Sequence, residues 1–422
     1  MSLFSWKENT SGAVIAPDER LAYGPSIVMG MQHVIAMFGA TVLAPILMGF
    51  DPNIAILMSG VGTLIFYLIV GGRIPSYLGS SFAFIGVVIA ATAYAGKGPN
   101  ANLSAALGGI IVCGAVIVAI GLLVKAIGVG WIEKFMPPVV TGSVVAVIGL
   151  NLATVPIKNM APTPFDAWMQ AITFICVGLV AVYTKGLVQR LLILVGLIVA
   201  TIIYAILTNG MGLGKPLDLS GVAAAAWLGM PNFVSPTFSG NAILLIAPVA
   251  LILVAENLGH VKAVAAMTGR NLDQSMGNAF IGDGVATMVS GSVGGTGQTT
   301  YAENIGVMAA TKIYSTLIFV IAAVIAIVLG FSPKFGALIQ AIPLAVMGGI
   351  SIVVFGLIAV AGAKIWVDNK VDFSDNTNLI VAAVTLILGT GDYTLAFGDF
   401  KMGGIGTATF GAILLYALLR KR

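Results

Sequence analysis

The chain has 422 residues, 59% of them hydrophobic and 9% charged, with a formal net charge of +4. Soluble domains carry about 25% charged residues, so a soluble globular class is excluded. A polytopic membrane protein is expected, and the small cationic excess is no nucleic-acid footprint.

In chain order, Met1 to Tyr23 is polar and holds Lys7, Glu8, Asp18, Glu19 and Arg20. It is expected to be a cytoplasmic tail rather than a cleaved signal. Apolar runs then follow at Ser26–Met48, Ile54–Val70, Phe82–Tyr94, Ala105–Val124, Val139–Val155, Ala167–Tyr183 and Leu191–Leu207. A Gly- and Pro-rich connection, Thr208 to Gly240, comes next. The later runs are Ala242–His260, Met276–Val289, a short one after Tyr301, Thr316–Leu329, Pro343–Ala361, Leu379–Leu388 and Gly403–Leu419. That makes fourteen crossings. Cys113 and Cys176 both lie inside apolar runs and read as small core residues.

A full span needs about 20 residues. The third and tenth runs fall short, and each begins with a small, Gly-containing stretch. Both are read as discontinuous crossings, an extended strand followed by a half helix. Such backbone survives at membrane depth only when buried in protein or lining a cavity. Fifteen of the twenty Lys and Arg fall on the side of the N-terminus, from Lys7 and Arg20 to Lys421 and Arg422. Lys97, Lys158, Lys215, Lys334 and Lys401 fall on the other. That bias puts both termini in the cytoplasm.

The two odd crossings resemble each other. Ser80 to Val87 (SSFAFIGV) lines up with Thr299 to Val307 (TTYAENIGV), with one residue inserted. Pro137 and Gly142 in the fifth run match Pro343 and Gly348 in the twelfth. The repeat is therefore seven crossings long, and an odd number makes the halves inverted. Inverted repeats with broken helices at matching positions mark secondary transporters, with substrate at the midplane.

Three acids sit well inside apolar runs: Glu256, Asp283 and Glu303. The two histidines, His33 and His260, do so as well. Each such group is expensive in a bilayer, at ~2.5–3.5 kcal/mol for a charge, and needs a partner or a function. Glu256 and His260 are i and i+4 on one helix face. They form either a proton relay or a buried structural pair. His33 follows Gln32 and either bonds across helices or joins the proton path. Asp283, between Gly282 and Gly284, suits proton coupling better than substrate binding.

Two weak motifs are set aside. Gly389 to Asp392 matches the GxGD of intramembrane aspartyl proteases, but their Tyr-Asp partner is absent. Gly294 to Thr300 looks like a phosphate loop without its lysine. A channel, needing no protonatable coupling group, stays open as another class.

Glu303 to Lys312, reading ENIGVMAATK, resembles the signature of the nucleobase–ascorbate transporter (nucleobase:cation symporter-2) family. Gln32-His33 matches a second motif of that family. Gly79 to Phe84 and Ala255 to His260 are similar to its uracil and pyrimidine-utilisation permeases, and the resemblance runs from about Ala16 to the C-terminus. It implies an all-α fold of fourteen segments in two inverted seven-segment repeats. Segments 3 and 10 would be broken, with short antiparallel strands. It also implies a cytoplasmic tail (1–24), a core domain (25–125 and 241–332) and a gate domain (126–240 and 333–422) that makes a homodimer contact.

The function implied is proton-coupled import of uracil and related pyrimidines across the bacterial inner membrane by alternating access. The protein would be no enzyme and, apart from the proton as coupling ion, would use no cofactor. Glu256, Glu303, Phe82, Tyr301, Ala83 and Asn304 match the substrate site. His260, Asp283, Glu256 and His33 match the proton path. Glu at position 303 is the uracil-permease form, whereas Asp at 283 is the xanthine-permease form, so xanthine or thymine transport is an alternative.

Overall fold

The computed structural model describes residues 3–10, 14–94, 98–397 and 400–420. Lys97, Lys421 and Arg422, counted in the charge bias, lie outside the described residues. Among those described, eight helices are long and apolar enough to cross a membrane. A further candidate is the bent pair Thr316–Gly330 and Pro333–Gln340, which meet at 83°. Asn376–Thr390 and Gly404–Leu419 are shorter apolar helices. The molecule is a mostly helical membrane protein, with large side chains such as Val182, Val360 and Ile387 exposed on its outside.

Local chemistry sets the helix ends. Asp51 accepts a hydrogen bond from the Asn53 backbone and is followed by Pro52 at the first helical position. Asp375 caps Asn376–Thr390 in the same way, which lets that helix extend beyond its apolar run. The eighth apolar run is longer than expected and broken. Gly240–Ile246 stops before Pro248, and Val249–Thr268 begins after it. Proline has no N–H and clashes with the preceding turn, which forces that interruption.

The helices pack as two sets. In one, Leu103–Ile127 lies along Met276–Ser292, and Pro52–Ile69 lies along Thr316–Gly330. The first contact runs over glycine. A Cβ on Gly114 would stand 2.6 Å from the Gly284 carbonyl, and one on Gly284 would stand 2.6 Å from the Gly114 carbonyl. Only small residues let membrane helices approach so closely. In the other set, Pro138–Leu152 packs on Leu344–Asp368, Asn376–Thr390 and Gly404–Leu419. Pro164–Tyr183 packs on Leu192–Ala205 and Leu344–Asp368.

Three two-stranded sheets are present among the described residues. Lys7–Glu8 pairs parallel with Glu19–Arg20 near the N-terminus. There the Ala16 backbone and the Asn9 amide donate to the Glu19 carboxylate and hold it below the usual carboxylate range. Leu395–Phe397 and Phe400–Met402 form a hairpin. The central pair is Leu78–Ser80 against Gln298–Thr300, antiparallel and buried, with Gly79 opposite Thr299.

Each central strand is fastened by a threonine from a neighbouring helix. Thr63 Oγ1 accepts from the Leu78 N–H at 2.9 Å, and Thr287 Oγ1 accepts from the Gln298 N–H at 3.0 Å. The half helices Phe84–Thr92 and Ala302–Thr311 run on from these strands. The sequence alignment placed one extra residue in the second copy. The strands and helices align differently, because Ser81–Ala83 forms a turn where Tyr301 alone makes the junction.

Candidate functional site

The strand pair sets the two half helices start to start. Residues at both starts, Ser81, Phe82 and Ala83 on one side and Tyr301, Ala302 and Glu303 on the other, line a cavity of about 1150 Å³. Glu256, Gly259 and His260 of the Val249–Thr268 helix line the same cavity. The i, i+4 spacing accounts for this, since Glu256 and His260 share a face one turn apart. Both are half-buried, as is Glu303. The opposite wall is apolar and comes from the second helix set, with Val145, Ile148, Val354 and Ile358. Phe82 crosses towards that wall and meets Phe355 edge to face, 6.2 Å between ring centroids.

The cavity reaches the face that carries Glu133, Lys262, Asp368 and Asn369. Lys262 and Glu133 form an ion pair at that mouth, and both remain about half exposed. The other ion pairs among the described residues are Arg20–Glu8 and Arg270–Asp18. Neither Glu256 nor Glu303 is therefore matched by a basic side chain. Two half-buried acids facing one cavity, beside the donor ends of two helices, make a site for a polar ligand with its own N–H groups.

The remaining expected site residues stand behind this wall. Asn304 is fully buried and donates to His33 Nδ1 (2.9 Å) and to the His33 carbonyl (3.1 Å). His33 packs on Phe319, 4.6 Å between ring centroids. Asp283 is buried and accepts from the Asn257 amide, next in sequence to Glu256. Asp283 Oδ1, His33 Nε2 and Asn304 Oδ1 have no partner among the described residues. Tyr301 is 3% exposed and acts mainly as a tie. Its hydroxyl donates to the Ser80 carbonyl (2.9 Å) and accepts from Thr41 (3.1 Å). A Cβ on Gly79 would stand 2.5 Å from the Tyr301 ring, so glycine is needed in that strand.

Sequence reasoning missed Thr300, which bonds His260 Nδ1 at 2.8 Å, and Thr41. It also missed the two strand-fastening threonines, Thr63 and Thr287. The available signal was a hydroxyl inside an apolar helix, which is too common to single out.

Residues 24–397 match the model of a permease family, Xan_ur_permease. The chain is 66% identical over 414 residues to "Putative pyrimidine permease RutG" of Escherichia coli (strain K12), covering 98% of this chain and 94% of that protein. It is 43% identical over 416 residues to "Uracil permease" of Paenibacillus larvae, covering 95% and 96%. Among solved structures it is similar in fold to the murine anion transporter Slc26a9 in its inward-facing state, with a TM-score of 0.69 and 12% identity. That match covers 96% of this chain and 69% of the murine chain.

Proposed function

The chain belongs to this permease family and is a membrane transporter rather than an enzyme, and we propose that it imports uracil and related pyrimidine nucleobases by proton symport. The observation that carries this reading is the single cavity shared by Glu256, His260, Glu303 and the starts of both half helices. Relatives named as pyrimidine and uracil permeases support the substrate class.

Uracil is planar, with two N–H donors and two carbonyl acceptors. Ionised carboxylates only accept, so Glu256 and Glu303 take the ring N–H groups. Backbone N–H groups near Phe82, Ala83 and Asn304 donate to the carbonyls, because the first N–H groups of a helix have no partner within it. Phe82 stacks on the ring. Tyr301 borders the base and braces the strands behind it. Glu256, His260 and Asp283 hold the coupled proton, with His33 fixing Asn304 and the second half helix.

The proposed architecture is fourteen segments in two inverted repeats. Residues 25–125 and 241–332 form the core, and residues 126–240 and 333–422 form the gate, which makes a homodimer contact. Both termini lie in the cytoplasm, so the cavity faces inward. Alternating access then moves the core against the gate. One proton moving through 100 mV supplies ~2.3 kcal/mol, roughly 50-fold accumulation at tenfold per 1.4 kcal/mol.

The test is uptake of labelled uracil into cells lacking their own permeases. Saturable uptake abolished by a protonophore is expected. Uptake that survives the protonophore overturns proton coupling, and competition by thymine and xanthine measures the width of specificity.

A further inference from the structure

The Glu303 half helix has little to hold it in shape. It is ten residues long, Ala302–Thr311, and buries only Asn304, Val307 and Met308. Ala302, Gly306 and Ala310 face the cavity rather than a neighbouring helix, and Ala309 is exposed beside them. Helices shorter than ~12–15 residues are marginal without tertiary support. Its start is pinned by the strand pair. Its end closes at Lys312, which holds a left-handed φ of 58° without being glycine. Such a residue persists only where its surroundings over-determine it.

The matching half helix ends in the same way, at Ala93 with φ 51°. There Asn100 and Asn102 donate to Thr92 and hold the end down. The Glu303 half helix has the N-terminal segment instead. Ile15, 1% exposed, donates its N–H to the Lys312 carbonyl (3.1 Å) and accepts from the Tyr314 N–H (2.8 Å). The Pro17 carbonyl takes the Thr316 N–H (3.0 Å), and the Trp6 indole donates to Thr316 Oγ1 (2.9 Å). Asp18 pairs with Arg270, two residues beyond the end of the helix that carries Glu256 and His260. Trp6 also stacks on Tyr67, at the end of the Pro52–Ile69 helix. This segment lies ahead of residue 24, where the family match begins.

We propose that the N-terminal segment is a positioning strap. By joining the far ends of the Glu256 and Glu303 helices, it holds the two carboxylates at the spacing that binds the base. The strap moves with the proposed core, since Lys312, Thr316, Arg270 and Tyr67 all fall within residues 25–125 and 241–332. Ile15 is its principal positioning residue and never touches substrate. The role in binding rests on the proposed nucleobase site, whereas the bracing of the half helix does not.

Two readouts on the full-length chain separate these. The first is hydrogen–deuterium exchange of the purified protein, which needs no substrate. Ile15→Pro removes the N–H bond to Lys312. It is expected to speed exchange at least tenfold over residues 305–311, with no change in the gate helix Pro164–Tyr183. The second is uracil uptake at equal membrane abundance. Ile15→Pro is expected to raise KM about fivefold to tenfold with Vmax within twofold, while Ile15→Val keeps both at wild-type values. Should Ile15→Pro not fold, Asp18→Arg takes its place. A smaller rise in KM, about twofold to threefold, is expected there, reversed in the Asp18→Arg/Arg270→Asp double variant. Unchanged exchange over residues 305–311 overturns the strap, as does a loss of Vmax alone. If the wild type takes up no nucleobase, the functional reading falls, and the exchange experiment still decides whether the strap braces the half helix.

Discussion

Glu256 and Glu303 approach one cavity from different elements, a continuous helix and a half helix, and among the described residues neither forms an ion pair. A hydrogen bond to a charged group contributes about 1.5–3 kcal/mol. Glu256→Gln and Glu303→Gln are each expected to lower uracil uptake roughly 10- to 100-fold at equal membrane abundance, at tenfold per 1.4 kcal/mol. Wild-type uptake by both variants would remove these residues from the site. An aromatic contact is worth less, about 0.5–1.5 kcal/mol beyond area. Phe82→Ala should therefore raise KM roughly threefold to tenfold, and Phe82→Tyr should change it little. A concentration series of labelled uracil distinguishes the two. Asn304 is a lesson at this scale. Its place in the signature suggested direct contact with the base, yet its amide is engaged by His33. Asn304 is fully buried behind the cavity wall formed by Glu303, Gly306 and Val307.

The elements that matter most are short and irregular. The strand pair exists because Thr63 and Thr287 supply acceptors for N–H groups that strand pairing leaves over. An unmet buried donor costs about 1–3 kcal/mol. Thr63→Val and Thr287→Val should each lower the thermal midpoint of the detergent-purified protein, and the double variant should accumulate poorly in the membrane. Glycine sets the crossing of Leu103–Ile127 with Met276–Ser292. Overpacking typically costs about 1–3 kcal/mol, so Gly114→Val should also lower the midpoint. Gly178→Ala is the control, since a Cβ there meets nothing within 4 Å. Equal melting of Gly114→Val and wild type would show that the crossing tolerates separation. These elements were partly legible in sequence. The glycine run before Thr299 and the short apolar runs announced broken crossings. The fastening threonines and the break at Pro248 did not stand out, because single Thr and Pro residues occur throughout the chain.

At the scale of the whole molecule, the cavity lies between the two helix sets, and the Glu133–Lys262 ion pair spans its mouth. An exposed pair contributes only about 0–1 kcal/mol, so it marks the contact more than it holds it. Cysteines at 133 and 262, joined by a short bifunctional maleimide, should trap the arrangement seen here and stop uptake, with a cleavable linker restoring it after reduction. Full uptake in the linked protein would mean that the two sets do not move apart at this mouth. The amino-acid sequence was enough to specify a membrane protein of many crossings, because a chain this apolar and this poor in charge cannot be hidden from water in any other way. It was also enough to single out Glu256, His260 and Glu303, because ionisable groups are too expensive in an apolar run to be incidental. It could not say which of the buried polar groups meet. Glu256 and Glu303 are separated by a glycine-rich turn and a whole helix, and only antiparallel pairing of strands more than two hundred residues apart brings them to one cavity. The same folding seats Ile15 on the end of the Glu303 helix, a contact between parts of the chain that share no pattern in the sequence.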